Sequence, residues 1–227
     1  MKKMLVVLIV LGLLAACTLA ETQTAPAATT TGSAPIATAT PVMNAVEPTL
    51  TQPIASSPTL APEPDDIYSQ MGITLGQPIC TGLTPPQTEG PYYKPDTPRS
   101  NVFYEDGMPG TRLVLVGYVL DQNCQPLPNA WLDFWQADAT GEYDNAGYRL
   151  RGHQFTDEQG RYYLDTVLPG LYLSRPIEHL HVKVRPEGGE EVTSQLYFPQ
   201  QPVEGLTVTL EERESYLVGY FNFVVSR

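Results

Sequence analysis

From Arg112 to the C-terminus, apolar and polar positions alternate in short runs separated by turn residues. RLVLVGYVLD is rich in β-branched and aromatic residues and ends in the polar DQNCQPLPN. AWLDFWQAD places Leu132 and Phe134 on one face and Trp131, Asp133 and Trp135 on the other, because successive strand residues point to opposite sides. DEQG turns the chain into RYYLDTV, where the adjacent Tyr162 and Tyr163 must face opposite ways, one of them into a core. LPG turns it again into LYLSR, and HLHVKV, TSQLYF, LTVTL and GYFNFVVS follow. Strands of this length between Gly, Pro, Asn and Asp turns predict an all-β fold, an antiparallel sandwich or barrel, of which an antiparallel β-sandwich with long loops is the form expected here. No long stretch carries helical periodicity; only EERESYL leaves room for a turn or two of helix.

The N-terminal part has a different pattern. MKKMLVVLIVLGLLAACTLA joins two lysines to an apolar run too short and wrongly flanked for a stable membrane span. Its end, Leu14-Ala15-Ala16-Cys17, resembles the lipobox of bacterial lipoproteins. That resemblance implies a signal peptide over 1–16 and lipid on Cys17, hence an exported protein anchored to the cell envelope; the alternative is an ordinary secretory leader with a chance cysteine. Residues 17–65 are dominated by Thr, Ala, Pro and Ser, with few charges and no aromatic ring before Tyr68. Such a segment buries too little apolar surface to offset its ordering entropy and is expected to be a disordered tether. Residues 66–227 hold every Tyr, Trp and Phe and have the length of one domain.

Charge and cysteine content narrow the function. A net charge of −12 argues against nucleic acid or anionic lipid as a partner, leaving the N-terminal lipid as the only membrane contact. Apart from Cys17, the chain has Cys80 and Cys124, an even pair that in an exported protein predicts a disulfide and leaves no thiolate for catalysis or metal.

Two of the three histidines, His179 and His181, share one face of the HLHVKV strand. Side-by-side imidazoles suggest a shared metal, but alone they fit zinc, copper or plain packing. Glu178 alternates with them and should face away, so further donors must be acidic residues or tyrosines of neighbouring strands. A phenol with a pKa of about 10 needs a strong Lewis acid to bind as phenolate, and ferric iron is one.

TPPQTEGPYY, AWLDFWQADATGEYD, RGHQFTDEQGRYYLDTVLPGLY, EHLHVKV and TSQLYFP, taken together and in this order, resemble the intradiol ring-cleavage dioxygenases, the catechol and protocatechuate dioxygenase family. The resemblance spans roughly Thr84 to Pro199. It implies one non-haem Fe(III) held by Tyr143 of GEY, Tyr172 of PGLY, His179 and His181, with Tyr148 as the alternative should the register slip. It implies O2-dependent cleavage between the two hydroxyl-bearing carbons of a small aromatic diol, giving a cis,cis-muconate-type diacid, with Tyr172 displaced by substrate. An arginine that stabilises negative charge is matched by Arg175, although SRPIEH puts it four residues before His179 where the family commonly has three. A glutamine on the next strand is matched by Gln195. Tyr92 and Tyr93 are expected to border the substrate pocket, and His153 to sit at the surface or behind the ligands. The competing reading is a metal-free transthyretin-like or carboxypeptidase-regulatory-like sandwich for adhesion or display, since fold alone does not determine function.

Overall fold

A computed structural model describes residues 66–172 and 175–227; the expected leader, Cys17 and the tether lie outside the described residues. The described chain forms one short helix, α1 (Ile67–Gln70), and nine strands: β1 (Arg112–Leu120), β2 (Trp131–Trp135), β3 (Arg151–Phe155), β4 (Arg161–Val167), β5 (His179–Arg185), β6 (Val192–Tyr197), β7 (Thr209–Glu212), β8 (Leu217–Tyr220) and β9 (Phe223–Val224). One sheet runs β4-β1-β8-β7, with β9 also paired to β1; the other runs β3-β2-β5-β6. Pairing is antiparallel except for β1 with β8 and with β9, which are parallel. The all-β sandwich read from the sequence is the fold found.

Three elements differ from the sequence pattern. EERESYL is not helical: Glu211 and Glu212 close β7, and the chain turns through Arg213 N–H donating to the Tyr216 carbonyl into β8. RGHQF forms β3, an edge strand whose mixed composition hides it; it pairs along the full length of β2. LYLSR is not a named strand; Tyr172 and Arg175 meet in an isolated bridge, and the two residues between them lie outside the described residues.

The core lies between the two sheets. Leu113 and Leu115 of β1 and Tyr162 and Leu164 of β4 pack with Leu132 and Phe134 of β2, Leu180, Val182 and Val184 of β5, and Leu196 of β6. Tyr162 is the inward member of the tyrosine pair; Tyr163 faces the opposite side, where α1 covers Val114, Val116 and Val218. A disulfide joins Cys80 to Cys124, with their Cα atoms 5.6 Å apart.

With the apolar residues of β2, β5 and β6 turned inward, Trp131, Asp133, Trp135, His179, His181, Lys183, Gln195 and Tyr197 occupy the outer face of the second sheet. Register aligns them: His181 stands opposite Trp135 on one side and Gln195 on the other, and His179 opposite Tyr197. This polar face is nonetheless buried, because the segment from Thr84 to Ser100 lies across it. At the β6 edge Gln87 N–H donates to the Thr193 carbonyl and Ser194 Oγ to the Pro85 carbonyl at 2.8 Å, and on the outer face Gln195 Nε2 donates to the Thr88 carbonyl at 2.7 Å. Lys183 Nζ meets Glu89 at 2.8 Å and Glu191 at 2.9 Å, while Thr97 Oγ1 and Tyr93 Oη both donate to Asp133.

Candidate metal centre

The outer face of β5 brings the two imidazoles together at 4.8 Å between ring centroids, each ring 2% exposed. His179 Nδ1 lies 2.7 Å from the Ile177 carbonyl, an acceptor only, so this nitrogen carries the proton and Nε2 keeps its lone pair. Burial lowers the His179 pKa to about 4, with the nearby Arg175 charge adding to that effect and the Ile177 hydrogen bond opposing it. Burial, and then the charges of His179, Arg175 and Arg151, lower that of His181 to about 2. Both rings are therefore neutral at ordinary pH, the form that ligates metals. Trp135 stacks on His181 at 4.9 Å and 9°, and a Cβ on Gly90 would stand 3.3 Å from the ring's Cε1, so both ring faces are restrained.

Two loops deliver the tyrosines. Asp138 accepts hydrogen bonds from the backbone of Thr140 and Glu142, shaping the turn into Tyr143. Gly141, at φ +88°, packs so closely on the Leu171 carbonyl that a Cβ would clash with it; Gly170 sits as tightly against Ala139 and Gly141, and its N–H donates to the Asp138 carbonyl at 2.8 Å. The glycines of GEY and PGLY thus clasp the two loops and set Tyr143 and Tyr172 edge-to-face at 5.8 Å. Tyr143 lies 6.4 Å from His181 and Tyr172 5.8 Å from His179, ring centre to ring centre. The segment before the histidines turns, with Arg175 N–H donating to the Tyr172 carbonyl and Ile177 N–H to the Arg175 carbonyl. That turn presents the Ile177 carbonyl which orients His179.

Five buried polar atoms in this cluster have no hydrogen-bond partner: the donors Trp135 Nε1 and Arg151 Nη2, and three atoms able to ligate, Tyr143 Oη, His179 Nε2 and His181 Nδ1. Leaving such groups unpaired is costly, and the convergence of the last three fits a metal ion. Among the described residues no group of three or more His, Cys, Asp or Glu gathers; the oxygens that stand beside the imidazoles include the phenols of Tyr143 and Tyr172. That donor set suits a hard, oxygen-seeking ion that also accepts imidazole, as ferric iron does. Without such an ion burial holds the Tyr143 phenol well above its ordinary pKa; Tyr172 adds to the rise and Arg151 and Arg175 oppose it.

Tyr143 and Tyr172 line a cavity of about 690 Å³ with Tyr92, Glu142, Leu171 and Pro176 among its other walls. Of the two tyrosines expected to border the pocket, Tyr92 does so, stacking on Tyr143 at 4.3 Å and 16°. Tyr93 turns the other way, against Trp135 at 4.8 Å and beside Asp133. Tyr148 stands apart from the cluster, its hydroxyl donating to the Pro95 carbonyl. His153 contacts Thr97 through Nδ1.

Arg175 and Gln195 are joined by a residue the sequence reading passed over. Arg175 Nη2 donates to Tyr197 Oη at 2.9 Å, and Tyr197 Oη donates to Gln195 Oε1 at 3.0 Å. Arg151 was also passed over. It is 1% exposed, donates to the carbonyls of Tyr92 and Asp144, holds its guanidinium 5.8 Å from the Tyr143 ring, and keeps Nη2 unpaired. The alternation in β3 could have placed Arg151 on the same face as His153, but not under Tyr143.

A family model described as "Dioxygenase" matches residues 88–208. The chain is 31% identical over 143 residues to a catechol 1,2-dioxygenase of Acinetobacter guillouiae, covering 51% of this chain and 47% of that protein. It is also 31% identical over 112 residues to the protocatechuate 3,4-dioxygenase beta chain of Burkholderia cepacia, 41% and 47% of the respective chains. It thus spans about half the length of these curated relatives. Among solved structures, the dioxygenase domain of a dioxygenase–carbohydrate-binding fusion from Streptomyces sp. SirexAA-E aligns with TM-score 0.62 at 40% identity, over 64% of this chain and 99% of that one.

Proposed function

Since the chain belongs to the dioxygenase family of the catechol and protocatechuate intradiol enzymes, we propose that it cleaves a catechol with O2 between the hydroxyl-bearing carbons, using Fe(III) held by Tyr143, Tyr172, His179 and His181. The observation that carries this reading is the convergence of two neutral imidazoles and two phenols, with unpartnered buried atoms, beside one cavity.

Bound ferric iron would supply Lewis acidity toward a chelating diol and a path for charge from the diol to activate its ring toward O2. The chain's residues do the rest. Tyr143, 9% exposed and roofed by Tyr92, is the ligand held in place. Tyr172, half-buried on the cavity wall, has room to leave and to take a substrate proton on Oη. Arg175, steadied by Tyr197 and through it by Gln195, sets a positive charge near the histidines where negative charge develops as the ring opens. Both atoms of O2 enter the product, a muconate-type diacid.

Protein produced with ferric iron is expected to show a visible tyrosinate-to-iron absorption, to consume O2 only when catechol is added, and to release a diacid two oxygen atoms heavier than its substrate. A colourless, iron-free preparation would overturn the reading and favour the metal-free sandwich. Export and anchoring through lipid on Cys17 belong to the same proposal, supported by the N-terminal pattern. A Cys17→Ala chain that still incorporates labelled fatty acid would refute that part.

A further inference from the structure

We infer that this site selects uncharged catechols and rejects those bearing a carboxylate on the ring, with Glu142 as the discriminating residue. The inference rests on the proposed ring cleavage at the same cavity.

Charge around the cavity is arranged in depth. Close to the ligands stand two arginines, neither of them a cavity wall. Arg151 is fully buried and Arg175 is partly buried, and both act electrostatically on Tyr143 and His181. They favour the negative oxygens of a diol at the inner end. Among the described residues that line the cavity, Glu142 alone is charged; the others are Tyr92, Thr140, Gly141, Tyr143, Asn145, Leu171, Tyr172 and Pro176. Glu142 is exposed to solvent as well as lining the cavity. Its backbone is fixed on both sides of the peptide, with N–H donating to Asp138 Oδ1 at 3.1 Å and its carbonyl accepting from Asp138 N–H at 2.9 Å.

Two cations close to the loop that carries Glu142 are already engaged. Arg149 pairs with Asp138 at 2.6 Å, and Lys94 Nζ donates to the carbonyls of Asn145, Ala146 and Gly147. Among the described residues that line the cavity no side chain is cationic, whereas Glu142 would repel a substrate carboxylate. A cavity of about 690 Å³ exceeds what one ring fills, so a neutral substituent has space that a charged one is denied. The chain's net charge of −12 acts in the same direction over longer range.

The test compares kcat/KM for catechol, 4-methylcatechol and 3,4-dihydroxybenzoate, together with the inhibition constant of 3,4-dihydroxybenzoate against catechol. These are measured on the iron-loaded protein and on Glu142→Gln and Glu142→Lys, each at low and high salt. For the unaltered protein, the neutral diols are expected to lead the anionic one by about tenfold or more at low salt, narrowing as salt rises. Glu142→Gln should reduce that ratio and most of its salt dependence, and Glu142→Lys should bring it to parity or reverse it. Equal use of the anion by the unaltered protein, or a preference left intact in both variants, would overturn the inference while leaving ring cleavage standing. Failure to turn over any diol would instead count against the proposed function.

Discussion

The two faces of β5 differ in what they ask of their neighbours. Leu180, Val182 and Val184 face the other sheet and need only apolar company of suitable volume. His179 and His181, on the same backbone, need particular partners from elsewhere: Trp135 on β2, Gly90 in the covering segment, the tyrosines of two clasped loops and, closer in sequence, Ile177 in the preceding turn. One face supplies stability through area and packing; the other spends it on burying polar groups, some of them without a hydrogen-bond partner.

The largest effect should come from the outer face. His181→Ala is expected to lower iron affinity by at least about a thousandfold and remove the visible band, with the thermal unfolding of the metal-free protein little changed, because a ligand contributes a share of a metal-binding free energy that is large in total. Titration with ferric iron followed by calorimetry checks both halves. Leu180→Ala should do the reverse, costing about 2–5 kcal/mol in urea-unfolding stability while the surviving folded protein keeps its iron colour. If His181→Ala unfolds the protein, or Leu180→Ala abolishes the colour of folded material, the two faces are not separable in the way described.

A smaller effect concerns the turn that delivers Tyr143. Burial pushes the Asp138 carboxyl upward, but hydrogen bonds from Thr140, Glu142 and Arg149 outweigh it and hold the pKa near 2. A carboxyl depressed in the folded state adds stability above its unfolded pKa of about 4, and this is lost as pH falls toward 2. Asp138→Asn should therefore cost about 1 kcal/mol near neutrality and flatten the stability profile between pH 4 and 2, as measured by denaturant unfolding across that range.

Much of this was legible along the chain. The two-residue period of HLHVKV and AWLDFWQAD separated core from outer face correctly, since strand alternation is a local property of the backbone. The glycines in GEY and PGLY stood out as motif letters, although their reason, a backbone-to-backbone clasp, could not be seen. EERESYL misled because its charges suit an exposed helix as well as an exposed edge hairpin, and pairing with β8 decided between them. RGHQF escaped notice because an edge strand carrying Arg, His and Gln lacks the apolar alternation that marks a half-buried one.

By itself the sequence determined the strand alternation, and with it which side chains of each strand share a face, because that depends only on neighbours in the chain. Tertiary structure alone decided that the polar face would be roofed, that Tyr92 would cover Tyr143 while Tyr93 turned to Trp135, and that Tyr197 would join Arg175 to Gln195. It also decided that Arg151 would be buried beneath a tyrosine 8 residues earlier in the chain yet on another element. These are contacts between segments far apart along the chain or separated by loops, and their formation depends on loop closure and packing that no local pattern encodes.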